Sequence, residues 1–334
     1  MSVEKKDEHG LTAVIVAILM VVLLGTVALV VDVGRLYAEK AQLQNGADAA
    51  ALAIATDCAQ GNECSQAVAD STAVQFSNDN ANDGTAHLIE ATLSSGTVRV
   101  NVGAQVSDGN ANELPLFFGP IFELLDPASS FDNATVVAGA TSQWGGPYSG
   151  VPYLPVGFGQ CEFDLTGGLK MIQTHGGNDC SARNPSGAHL PGGFGWLKTD
   201  GTCSAILIKI SDTEFIGDSS SGAPPPSSCS GFFDKDELQG KTVVLPIFAN
   251  ASGAGDEGKF TIKGWAAFEL WGWNLPSATP DAKVDPPTGM GYVSGGNNSK
   301  KGLIGRFIEY VSSEDGLTTG GTDEFGATVV QLSD

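Results

Sequence analysis

Cations are scarce in this chain: 17 Lys and Arg stand against 38 Asp and Glu in 334 residues, a formal net charge of −21. A nucleic-acid partner needs clustered cations to displace counterions, so none is expected. Electrostatic docking on anionic lipid is disfavoured for the same reason. Histidine is rarer still, with only His9, His87, His175 and His189. Neither a G-x-S-x-G elbow nor an H-E-x-x-H zinc helix occurs. HGGNDC around His175 and the serines Ser219–Ser221 assemble a hydrolase only on paper. Gly253, Gly258 and Lys259 match a G-x-x-x-x-G-K phosphate loop, but Phe260 stands where a magnesium-binding Ser or Thr belongs. Gly240-Lys241-Thr242 fails earlier, with Lys235 in place of the first glycine. A metal-dependent adhesion site would need D-x-S-x-S; Asp218 and Ser220 are followed by Gly222. The expectation is a protein that is not an enzyme, with no catalytic, cofactor-binding or metal-binding residues.

Two further absences shape the N-terminus. No charge falls between Leu11 and Val31, a run of 21 residues. At about 1.5 Å per residue it is roughly 30 Å long, the thickness of a bilayer's hydrocarbon core. No proline occurs before Pro115. Leu36, Ala41, Leu43, Ala47, Ala50 and Ala51 then continue a small apolar stripe at helical spacing, so one helix over residues 11–57 is expected to cross the membrane and project from it. A cleaved secretory signal is the competing reading. It would have a shorter apolar core and a small-residue cleavage site close behind. Here the first A-x-A-like tripeptide lies inside the Ala-rich helix. Asp32, at the outer end of the run, stands three residues before Arg35. The two either pair along one helix face or sit solvated at the lipid–water boundary.

The residues that follow carry a family resemblance. Asp32, Gly34, Arg35, Leu36 and Tyr37, then Gln42 to Asn45, then Ala47 to Leu52 resemble the N-terminal segment of TadE/TadG-like proteins, minor pilin-like components of tight-adherence (Flp) pilus systems. PGGFGWL at 191–197 and KFTIKGWAAFEL at 259–270 resemble their exported portions more weakly. The resemblance implies a pilin-like plan, with a long helix laid over a small antiparallel sheet. It also implies pilus or secretion-machinery partners that meet the N-terminal helix in the membrane. Ala38, Ala41, Ala47, Ala50 and Ala51 would let such helices approach closely. Type IV-like prepilins carry a Glu five residues after the processing Gly. Counted from Gly10 that position is Ile15, so the charged head is expected to stay attached.

All six cysteines (Cys58, Cys64, Cys161, Cys180, Cys203 and Cys229) lie after the apolar run. An even number on one side suggests oxidation outside the cytoplasm; reduced, buried thiols are the alternative. Cys58–Cys64 is the expected local bridge, with the other four pairing among themselves. Lys5 and Lys6 before the run balance Arg35 and Lys40 after it, so charge alone leaves orientation open. The cysteines and the bulk of the chain place the N-terminus in the cytoplasm.

The expected fold is α+β, in four parts: a head over 1–10, the helix over 11–57, a membrane-proximal module over 58–145 and a β-rich, sandwich-like module over 146–334. In the proximal module, residues 65–81 read as a helix with Ala67, Val68, Val74 and Phe76 as its apolar points. Residues 87–106 read as a hairpin about a Ser-Gly turn, with Ile89, Ala91 and Leu93 alternating. ELPLFFGPIFELL reads as a lid or half-buried helix. Asp79, Ala81, Asp83, Gly84 and Glu90 approximate a calcium loop, but Ala81 supplies no oxygen at the third position. Residues 144–160 read as a linker. Distal strands are expected at CEFDL (161–165), 204–210, 241–248, 259–273, 301–311 and 326–332. On the strand at 259–273, Trp265, Trp271 and Trp273 share alternate positions with Lys263 and Glu269. That face is either a stacking platform for sugar rings or another subunit, or a covered core surface. The first option would suit a second function: a stand-alone surface protein that binds glycan or cell wall.

Overall fold

The structure is a computed structural model that describes residues 9–105, 111–120, 132–174, 193–205, 207–211, 214–218, 224–229, 231–253, 258–276, 281–292, 300–313, 316–321 and 323–333. The chain divides into two compact units. One comprises residues 1–57, 63–142 and 332–334; the other comprises 58–62 and 143–331.

The first unit is built on α1 (His9–Ala59). With no proline or glycine cluster to stop it, the helix runs on past the apolar stretch for 51 residues, about 77 Å. Ser65 caps α2 (Gln66–Asn80), its hydroxyl accepting from the Val68 N–H. The buried stripe of α2 is Ala69, Ala73 and Ser77, not the larger residues expected. Val74 is 40% exposed. Close helix packing explains the choice of small residues. A Cβ at Gly46 of α1 would lie 3.0 Å from the Ser77 Cα. Beyond α2 the hairpin forms as expected, β1 (Ala86–Ser94) pairing antiparallel with β2 (Thr97–Ala104). Val98, Val100, Val102 and Ala91 face the core. Ile89 does not. A register shift between Leu88 and Glu90 breaks the alternation and leaves it 43% exposed. The Pro-broken apolar segment begins as a strand: β3 (Glu113–Pro115) pairs with β4 (Asn133–Thr135).

The strand β5 (Val137–Gly150) follows, and Trp144–Gly150, expected as linker, is its second half. In the second unit come β6 (Val156–Gly159), β7 (Lys170–Gln173), β8 (Phe194–Trp196), β9 (Leu207–Ser211) and β10 (Glu214–Asp218). The short α3 (Lys235–Leu238) then precedes the long hairpin of β11 (Lys241–Ser252) and β12 (Lys259–Asn274). The remaining strands are β13 (Lys283–Val284), β14 (Gly302–Ile308), β15 (Tyr310–Ser312), β16 (Leu317–Gly321) and β17 (Ala327–Ser333). CEFDL is not a strand; Gln160–Glu162 is a 3₁₀ turn.

The order β7-β14-β12-β11-β6-β8 makes a mixed sheet, parallel only between β11 and β6. Its central hairpin is buried on both faces. On one face Val244, Trp265 and Ala267 pack with Leu317, Ala327 and Val329 from the strands that follow. On the other, Phe268, Leu270 and Trp273 join Phe158, Phe194, Trp196, Phe233 and Phe307. Ring contacts run from Phe194 to Trp196, Phe233 and Trp273 at 5.3, 5.9 and 5.8 Å. Trp273 shares a face with Phe268 and Leu270 because the β12–β14 register shifts between Leu270 and Gly272. One extra residue there moves the indole from one side of the sheet to the other.

The tryptophan platform is therefore absent. Trp265 and Trp273 are 2% and 0% exposed, and Trp271 is half-buried. The charged neighbours are paired, Lys263 with Glu324 at 3.0 Å and Arg306 with Glu269 at 2.6 Å. Trp273 Nε1 donates to the Asp281 carbonyl at 2.7 Å, whereas the buried Nε1 of Trp271 has no partner. Substituting phenylalanine should separate these two. Trp273→Phe loses a buried hydrogen bond and is expected to cost about 1–3 kcal/mol. Trp271→Phe is expected to cost less, because its N–H contributes no bond. Denaturant titration of the full-length protein in detergent checks the order.

The cysteines agree with oxidation. Cys203 and Cys229 are bridged, 26 residues apart. Cys58, Cys64 and Cys161 are also disulfide-bonded. Closing a loop of that length is expected to stabilise the fold by about 3–4 kcal/mol through the unfolded state.

Candidate functional site: the anchor helix and its collar

Along α1 the exposure of side chains changes character. From Val14 to Val31 the large apolar residues are open, Ile18 61%, Leu23 64% and Val30 69%. A soluble core helix would cover them, so this surface needs an apolar solvent. Beyond Leu43 the helix faces turn inward: Leu43, Ala47, Ala50, Ala51, Ile54 and Ala55 are all 3% exposed or less.

That second observation corrects an expectation. Ala47, Ala50 and Ala51 do not form a seam for other helices; they are buried within the protein. Ala38 and Ala41 remain exposed. The small residues serve the chain's own packing, where Gly46 meets Ser77.

Between the open and covered stretches lies a polar collar. Asp32 and Arg35 do not pair with each other, and Asp32 is not solvated. It is 5% exposed, with Oδ1 accepting the Phe117 N–H at 2.8 Å and Oδ2 the Phe118 N–H at 3.0 Å. Arg35 donates Nη1 to the Pro115 carbonyl at 2.6 Å, and its guanidinium lies 4.5 Å from the Phe117 ring centroid. One turn further on, Lys40 donates to the Val137 carbonyl, and Gln44 Nε2 donates to the Gly139 carbonyl at 3.1 Å and to Asp48 at 2.8 Å. Gln42 accepts the Asn82 N–H at 2.7 Å. The polar residues of the projecting helix thus hold backbone groups of β3, of β5 and of two loops. No contact of this kind could be read from i, i+3 spacing, because the backbone partners lie 40 to 97 residues away.

The other sequence candidates do not converge. Glu90 accepts from Asn101 at 2.8 Å, and Asp83 accepts the Thr85 N–H at 3.1 Å. Among the described residues no three His, Cys, Asp or Glu side chains come together. Ser252 and Lys259 are paired residues at the end of the β11–β12 hairpin, with residues 254–257 outside the described set. His175, His189 and Ser219–Ser221 also lie outside the described residues.

The helix and its collar coincide with the segment that comparison picks out. Residues 10–57 match the Tad family, described as putative Flp pilus-assembly TadE/G-like. The match covers 48 of 334 residues, from Gly10 through the apolar span, Asp32 and Arg35 to the buried alanines. No curated protein and no solved structure matches the chain. The Tad-type segment is thus an apolar helix long enough to cross a membrane, and the β-rich remainder follows it.

Two tests follow from this geometry. Gly46→Leu is expected to destabilise the first unit by about 1–3 kcal/mol through overpacking against Ser77, read as a lower midpoint in thermal unfolding. Glu39, outside the apolar run, has its pKa raised, first by burial and then by Asp83, against an opposing pull from Arg35. Its folded value lies above its unfolded one, so its stabilising contribution is full below the unfolded pKa and disappears as pH rises through the folded pKa. Glu39→Gln should therefore stabilise the protein near neutral pH, by about 0.5 kcal/mol or less given its exposure. It should have no effect near pH 4.

Proposed function

We propose that the protein is a membrane-anchored, exported component of a tight-adherence pilus system, acting in assembly or surface display as a minor pilin-like subunit. Its N-terminus lies in the cytoplasm and its disulfide-bonded β-rich portion outside. The observation that carries the proposal is the match of residues 10–57 to the TadE/G-like family on a helix whose apolar stretch is open to its surroundings. The disulfides support an extracytoplasmic location for the remainder. In this reading the protein is not an enzyme, and its strongly acidic character suits neither nucleic acid nor an anionic membrane surface. The pilin-like plan, α1 and α2 with the sheet that begins β1–β2, belongs to the same proposal. A stand-alone glycan-binding role loses its main support with the burial of Trp265 and Trp273.

Partner proteins would meet α1 on its open surface, which includes Ala38 and Ala41. Replacing residues 11–31 by an unrelated apolar span of equal length should abolish pilus formation or adherence while the protein still reaches the membrane. Ala38→Leu with Ala41→Leu should do the same without disturbing the fold, since both sites are exposed. Ala47 and Ala51 cannot serve as such probes, because enlarging them overpacks the protein's own interior. Normal adherence at normal protein levels in both variants would reject the assembly role. Mass spectrometry of the membrane fraction should find a peptide that joins Gly10 to Leu11; a mature N-terminus at Leu11 would establish processing there.

A further inference from the structure

Phe117 is 67% exposed, an unusual state for a phenylalanine whose backbone is tightly held. Its N–H and that of Phe118 are fixed by the Asp32 carboxylate, and the Pro115 carbonyl and Phe117 ring by Arg35. The Leu116 N–H is bound by the Asp132 carbonyl at 2.8 Å. The loop 115–118 is therefore pinned to one level of α1, the level of the first charge after the apolar run. That run is about as long as the hydrocarbon core is thick, so its outer end marks the lipid boundary. Val31 and Val33, flanking Asp32 in the sequence, are 43% and 40% exposed.

We propose that the loop 115–118 is a membrane-interface anchor, with the Phe117 side chain seated at the acyl–headgroup boundary of the outer leaflet. This rests on the reading of α1 as a membrane span. The occupant is lipid because the exposed ring is held at the level where the apolar run of α1 ends. The collar's chemistry fits that position. A bare carboxylate at the edge of hydrocarbon would be costly, but both Asp32 oxygens are satisfied by backbone N–H groups. Arg35, half-buried, places its guanidinium on the ring face and keeps the charge at the interface. The helix supplies no aromatic of its own until Tyr37. Tyr37 is 75% exposed and lies five residues, or roughly 7.5 Å, beyond Asp32. With Phe117 and Tyr37 together, the outer boundary acquires an aromatic belt of the kind that fixes the depth of spanning segments. Half of that belt comes from a loop 85 residues further along the chain.

Spin labels attached to single introduced cysteines test this in the full-length protein, reconstituted in phosphatidylcholine vesicles with the native disulfides intact. Phe117→Cys is compared with Leu24→Cys in the span and Ser95→Cys in the exposed hairpin turn. Collision with oxygen and with a water-soluble nickel chelate gives the depth of each label. The Phe117 label should show an oxygen-to-nickel ratio several-fold above that at Ser95 and below that at Leu24. Adding Asp32→Ala should release the loop and bring the ratio at 117 toward the Ser95 value. A Phe117 label as open to nickel as Ser95 would overturn the inference. So would one shielded from both reagents, which would mean a protein contact. A water-exposed Leu24 label would instead overturn the membrane anchor itself.

Discussion

A carboxylate nine-tenths or more buried beside an apolar helix surface is tolerable only if its lone pairs are spoken for. Asp32 is 5% exposed, and two consecutive backbone N–H groups meet its two oxygens. The position of the whole loop 115–118 depends on that pair of bonds, and Arg35 adds a third from the next turn. What distinguishes this helix from a plain tether is that its first polar residues are committed to the fold. Asp32, Arg35, Lys40, Gln42 and Gln44 each hold a backbone group elsewhere in the first unit. The projecting part of α1 is therefore as much a core element as the strands, despite being continuous with a lipid-type surface.

Much of the architecture was legible in the residues. The uncharged run, the lack of proline and the alanine-rich continuation defined α1, and the alternation of Val98, Val100 and Val102 defined β2. The failures have specific physical causes. Register shifts at Leu88/Glu90 and Leu270/Gly272 cannot be seen in a period-two pattern, so strict alternation puts Ile89 and Trp273 on the wrong side. Small residues were read as an intermolecular seam, although the same property suits the close approach at Gly46 and Ser77. The partners of Asp32 and Arg35 were invisible because they are backbone groups, which carry no signature in the side-chain sequence.

The tryptophans illustrate how burial decides between readings that composition leaves equal. β12 is covered on both faces, with Trp265 in one cluster and Trp273 in the other. PGGFGWL and KFTIKGW, noticed separately in the sequence, belong to one packing arrangement. A Cβ on Gly195 would lie 2.4 Å from the Phe260 ring. Glycine at that site makes room for an aromatic from the long hairpin. These motifs are accounted for by the packing of the β-rich unit and require no ligand to explain them.

Residues 332–334 belong to the first unit although 143–331 belong to the second. Ser333 Oγ donates to the Thr141 carbonyl at 3.5 Å. A contact between residues 192 positions apart thus belongs to one compact unit. Such a contact carries the loop-closure entropy of a long intervening chain, which grows only slowly with its length. Insertions or deletions of a few residues within 143–331 would therefore change that entropic cost very little.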